Sequence, residues 1–143
     1  MVLTIIFIII FWLLIITSGI SNAVMDCVDD HFEKSIFKDC HFIWKYWNKN
    51  ETWKNKYKDD LVTPKFPGST TILVMFTDPW HFFKMLCFFS LIIAIPCAMA
   101  VAILSVNFFL QKWWILFIVP IIIKLVHQFT FHVFFTWIFS KKS

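Results

Sequence analysis

An aspartate and a histidine stand three residues apart in Thr77-Asp78-Pro79-Trp80-His81-Phe82-Phe83-Lys84. On a helix that separation makes the two side chains neighbours. A carboxylate can then orient an imidazole for acid–base work or steady it as a metal ligand. The same octapeptide also reads as a helix start, because Asp is a favoured N-cap and Pro is enriched at the first helical position. Trp80 would then anchor the helix at a membrane interface, with Lys84 snorkelling beside it. The cap accounts for Asp78 and Pro79, and it leaves His81 in need of partners.

Two other stretches offer such partners. Asp26, Asp29, Asp30, His31 and Ser35 fall at helical spacings. Farther on, Lys124, Gln128, His132 and Thr136 recur every four residues, with His127 bordering the same face. A polar ladder inside an apolar run is expected to face the bundle interior or water, because ionisable groups in hydrocarbon are costly. Asp26, Asp30, His31, Asp78, His81 and His132 are therefore the candidate catalytic set. His31, His81, His127 and His132 are the candidate ligands if a divalent metal is the cofactor. The structural alternatives are a solvated acidic helix start and interhelical hydrogen bonding. The spacings H-E-x-x-H, H-x-x-H-H and C-x-x-C are absent, as are a Gly-rich phosphate loop and a G-x-S-x-G motif.

The elements that must position these residues are mostly lipid-soluble. The chain is 59% hydrophobic over 143 residues, against about 45–50% in an ordinary soluble domain. One core of this size could not hide that much apolar surface. The expected fold class is all-α integral membrane: three transmembrane helices, an interfacial amphipathic helix and a short polar loop, in a single domain. Residues 2–23 form span 1, 25–47 the amphipathic helix, 48–68 the loop and 69–77 a short apolar segment. Span 2 covers 79–107 and span 3 covers 113–140. The amphipathic stripe is Val28, Phe32, Ile36, Cys40, Ile43, Trp44 and Trp47, at spacings of three and four. The apolar segment, Ser69 to Phe76, fits a short strand, a re-entrant piece or an interfacial segment. Ser21-x-Ala23 has the small residues of a signal-peptidase site, but no Lys or Arg precedes the apolar run, which favours an uncleaved span.

Charge sets the sides. All thirteen basic residues are Lys, and Arg makes the commonest specific base contact. Residues 26–66 carry eight Lys against eight acids. Together these argue against a nucleic-acid partner and for contacts with the lipid bilayer, a lipid substrate, or a homo-oligomeric or other membrane-protein partner. Most Lys lie in the 26–84 region and the tail at Lys141 and Lys142. The positive-inside rule places that side in the cytoplasm and the N-terminus outside. Cys27 and Cys40, if joined by one helix, would sit about 20 Å apart, beyond disulfide reach. Four free thiols are expected.

The runs Trp53-Lys54-Asn55-Lys56-Tyr57, Gly68-Ser69-Thr70-Thr71 and Thr77-Asp78-x-Trp80-His81 resemble a group of small bacterial multi-pass membrane proteins. That group shares W-K-N-K-Y, G-S-T-T and T-D-x-W-H ahead of a hydrophobic hairpin. The resemblance covers the middle third of the chain. It implies a multi-pass protein of the bacterial inner membrane and attaches no activity. The functional expectation is an interfacial enzyme acting on a lipid or lipid-linked substrate through the Asp/His set. The alternatives are a non-catalytic assembly subunit and a proton- or ion-conducting protein.

Overall fold

The computed structural model describes residues 1–40 and 44–141. Ile43 and Lys142, which belong to the expected stripe and tail anchor, lie outside the described residues. Three helices are long and apolar enough to cross a membrane: Val2–Asp29 (span 1), Pro79–Leu104 (span 2) and Ile115–Phe139 (span 3). The protein is an all-α membrane protein. Among the described residues no β-strand forms, only isolated bridges between Ser35 and Ser140 and between Tyr57 and Pro64.

Span 1 is the axis of the bundle, and spans 2 and 3 pack chiefly on it. Small residues permit the approach. Span 2 turns Ser90, Ala94 and Cys97 inward, and the Cys87 thiol lies 3.3 Å from the Ser18 hydroxyl. Lipid tails are as apolar as the spans, so close van der Waals packing of small side chains holds such helices together. Gly19 packs directly against span 3. A Cβ there would sit 2.9 Å from the His127 carbonyl oxygen and 3.0 Å from the Thr130 Cβ. Ser21 and Ala23 are buried within the continuous span 1.

That contact fixes how span 3 is rotated, and it corrects the expected orientation of the polar ladder. Thr130 is buried against Gly19, while Lys124, Gln128 and His132 are exposed. Gln128 and His132 each lie two residues from Thr130, about 200° around a helix of 3.6 residues per turn. The ladder therefore looks away from the bundle.

The 25–47 region also differs from the expected single amphipathic helix. Span 1 runs on to Asp29, and short tight turns follow at Phe32–Lys34 and Ile36–Asp39, with one helical turn at Trp44–Trp47. The apolar residues themselves break the helix. Folding back buries Phe32 and Phe37 with Val24, Cys27 and Val28, and Trp47, Phe83, Phe135 and Phe139 pack on that cluster. Phe37 stacks on Trp47 with ring centroids 4.4 Å apart. Ser35 is fully buried at the break, and its hydroxyl donates to the Phe32 carbonyl. The tail is tied to this cap: the Lys141 amide donates to the Lys34 carbonyl at 2.7 Å.

Residues 69–77 form turns and a short helical turn, Val74–Phe76. Gly68 opens them at φ +82°, a conformation that disfavours other residues, and its carbonyl accepts from both Thr71 and Leu73. Span 2 ends at Leu104, and Val106–Gln111 forms the connection.

Candidate functional site

Asp78 begins the site. Its backbone is extended, and its carboxylate accepts the His81 backbone N–H at 2.8 Å, as an N-cap does. The same carboxylate meets His81 Nδ1 at 2.7 and 2.9 Å. One carboxylate thus starts span 2 and fixes an imidazole ring. Asp78 is only 4% exposed, whereas the His81 side chain is 33% exposed. Among the described residues no other hydrogen bond reaches the His81 ring. With Nδ1 donating to Asp78, Nε2 is left as the acceptor nitrogen.

The polar loop is built around this pair. Lys56 Nζ approaches the Asp78 carboxylate at 3.7 Å. The Lys56 carbonyl accepts from the Ser69 hydroxyl at 2.7 Å and from the Lys65 amide at 3.0 Å. Asn55 Nδ2 donates to the carbonyls of Lys45 and Thr77, both at 3.1 Å, and so pins the residue before Asp78. The Thr77 hydroxyl donates to the Val74 carbonyl at 2.6 Å. The W-K-N-K-Y, G-S-T-T and T-D-x-W-H runs therefore interlock at one place. Tyr46 lies nearby, and burial, followed by the Asp78 charge, pushes its phenol up to about 12.

His81 opens on a cavity of about 170 Å³ lined also by Asp29, Lys49, Thr52, Lys56, Asp78 and Trp80. Lys49 Nζ bridges the Asp29 carboxylate at 2.7 Å and the Asp29 carbonyl at 2.8 Å, which caps the end of span 1. The bond to Asp29 raises the Lys49 ammonium above its ordinary value. Two more cavities adjoin around Asp29. One, about 310 Å³, is lined in part by Asp30, His31 and Asn48. The other, about 240 Å³, is lined in part by Asn22, Asp26, Asp30 and Lys84. Lys84 Nζ lies 4.4 Å from the centre of the Trp80 ring, a cation–π contact.

The structure thus gathers Asp26, Asp30, His31, Asp78 and His81 around adjoining cavities at one end of the bundle. His31 is 4.0 Å from Asp26 and packs edge-on against Phe135. His132 does not join them. It lies exposed on span 3, with its Nδ1 3.4 Å from the Thr136 hydroxyl. His127 is half-buried in span 3 and lines none of these cavities. Among the described residues no three His, Cys, Asp or Glu side chains come together as metal ligands would. The described cysteines are free thiols.

Sequence reasoning named Asp29 as a possible partner but left it out of the candidate set, and it missed Lys49 and Thr52 as cavity residues. Thr52 stands out only as the last residue of Asn50-Glu51-Thr52, which has the pattern of a glycosylation acceptor and so draws attention to its Asn. Comparison with protein-family models, curated proteins and solved structures finds no match.

Proposed function

We propose that this chain is a membrane-interface enzyme, acting on a lipid or lipid-linked substrate with the Asp78–His81 pair as general base. The observation that carries this reading is a buried carboxylate holding Nδ1 of a partly exposed imidazole on a cavity where spans 1 and 2 meet the surface. The Asp78 contact sets the ring and its tautomer, so Nε2 is available to take a proton from water or a hydroxyl. Lys49 and Lys56 supply positive charge for an anionic group. Asp26, Asp30 and His31 belong to the adjoining walls and play no part in the proton transfer. On the Lys distribution this end faces the cytoplasm, and the motif resemblance favours a bacterial inner membrane. The test is to embed the purified protein in vesicles of a bacterial polar lipid extract and follow lipid consumption by mass spectrometry. His81→Asn should abolish the conversion. Unchanged conversion in that variant, or no conversion by the wild type, would overturn the reading.

One observation favours a second reading, that of an assembly subunit. Gln128 and His132 are exposed on a span, where lipid tails offer the Gln128 amide and the His132 Nε2 no partner. A second copy related by an axis along the membrane normal would set the same residues face to face, and each can donate and accept. Energy transfer between labelled copies in dilute vesicles should report self-association that Gln128→Leu weakens. A monomer at every protein-to-lipid ratio would contradict this reading.

A further inference from the structure

The Asp78–His81 site can be taken further, to a substrate class, and this inference rests on the reading of that site as a membrane-interface centre. Thr52 supplies the first observation. It is 8% exposed and lines the His81 cavity, yet its hydroxyl makes no hydrogen bond among the described residues. The hydroxyl opens to the cavity rather than being sealed in the core, so it is free to donate to a group bound there. Lys56 and His81 share the cavity with it. The volume, about 170 Å³, is roughly five or six waters at ~30 Å³ each. That space suits one phosphate group and is too small for a nucleotide.

The adjoining cavity is lined by three acids and one Lys. It is reached past Asp29 and Trp80, which line both. Its acids are less engaged than Asp29: Asp26 meets only His31, at 4.0 Å, and no Lys pairs with Asp30 among the described residues. Lys84, the one Lys lining it, lies over the Trp80 ring. A hollow whose two Lys are matched by Asp29 and Asp78, and which holds an unpartnered hydroxyl, thus continues into an acidic one. Both lie where span 1 ends and span 2 begins, the depth of lipid headgroups.

We propose that the two hollows together hold the headgroup of an amine-bearing zwitterionic phospholipid. The phosphate lies on Thr52 and Lys56, beside the His81 ring, and the primary ammonium lies between Asp26 and Asp30. An ammonium donates three hydrogen bonds to such carboxylates. A quaternary choline donates none, and a glycerol headgroup brings no positive charge.

The test uses the full chain in detergent micelles, titrated with phosphatidylethanolamine, phosphatidylcholine and phosphatidylglycerol of identical acyl chains and read by native mass spectrometry. The ethanolamine lipid should bind about fivefold tighter than the other two, the size of a partly exposed charge pair. The double variant Asp26→Asn, Asp30→Asn should lose that preference and keep its affinity for phosphatidylglycerol. Thr52→Val and Lys56→Gln should weaken all three lipids. Equal affinities in the wild type, or a preference that survives the double variant, would overturn the proposal. Soluble phosphoethanolamine should displace the lipid only at far higher concentration, and displacement at equal concentration would overturn the lipid as its source. His81→Asn should retain the preference while losing conversion. A preference without any conversion by the wild type overturns the enzyme reading alone, and conversion of a lipid without the preference overturns the headgroup assignment alone.

Discussion

Asp78 does two jobs that ordinary mutations would confuse, and its chemistry allows them to be separated. Its carboxylate caps span 2 and also holds His81 Nδ1. Asn caps a helix about as well as Asp, whereas Ala costs ~1 kcal/mol of helix stability. Asp78→Asn should therefore keep near-native thermal stability in detergent while losing lipid conversion, and Asp78→Ala should lose both. Equal activity in Asp78→Asn would mean that the carboxylate serves only as a cap. Tyr46 reports on the same charge. Burial and Asp78 push its phenol up to about 12, above the usual value of about 10. Below the usual value both folded and unfolded states keep the proton, so the contribution to stability is fully present. It is lost as pH rises towards the folded value, because the unfolded chain ionises first. In a Tyr57→Phe variant the remaining phenol should ionise near 12, and Asp78→Asn should lower that midpoint. A midpoint at the usual tyrosine value, with the far-ultraviolet circular dichroism still native, would place Tyr46 away from this site.

The spans were legible because each is a long apolar run, and Asp78-Pro79 marked the start of span 2 through cap chemistry that is local in sequence. Two elements were not legible, for one reason. The stripe Val28, Phe32, Ile36 has helical spacing, but Phe32 and Phe37 bury themselves against Phe135 and Phe139, which lie a hundred residues away. Periodicity cannot see partners that distant. Nor could spacing alone rotate span 3. Its inward face is chosen by Gly19, whose missing side chain admits the His127 carbonyl and Thr130. Gly19→Val should destabilise the bundle by about 1–3 kcal/mol, the cost of overpacking, because a backbone carbonyl cannot step aside as a flexible side chain can. Thermal unfolding in detergent would measure it. An unchanged midpoint would show that span 3 does not pack there.

Taken together, the chain concentrates its polar chemistry at one end of a lipid-facing bundle. The W-K-N-K-Y loop, the G-S-T-T turn and the T-D-x-W-H helix start converge there, although they are spread over residues 53–81. Sequence alone named Asp78 and His81 as a pair because i,i+3 geometry is local. It overreached with His132, and it passed over Lys49 and Thr52, whose roles come from the fold. The catalytic reading of this end depends on His81 presenting an unprotonated Nε2 to the cavity. Nitrogen-15 spectroscopy of the histidine-labelled protein in micelles, with His81 assigned by loss of its signals in His81→Asn, tests this. The neutral ring should carry its proton on Nδ1, donated to Asp78, with Nε2 bare. A neutral ring protonated on Nε2 would contradict the general-base account.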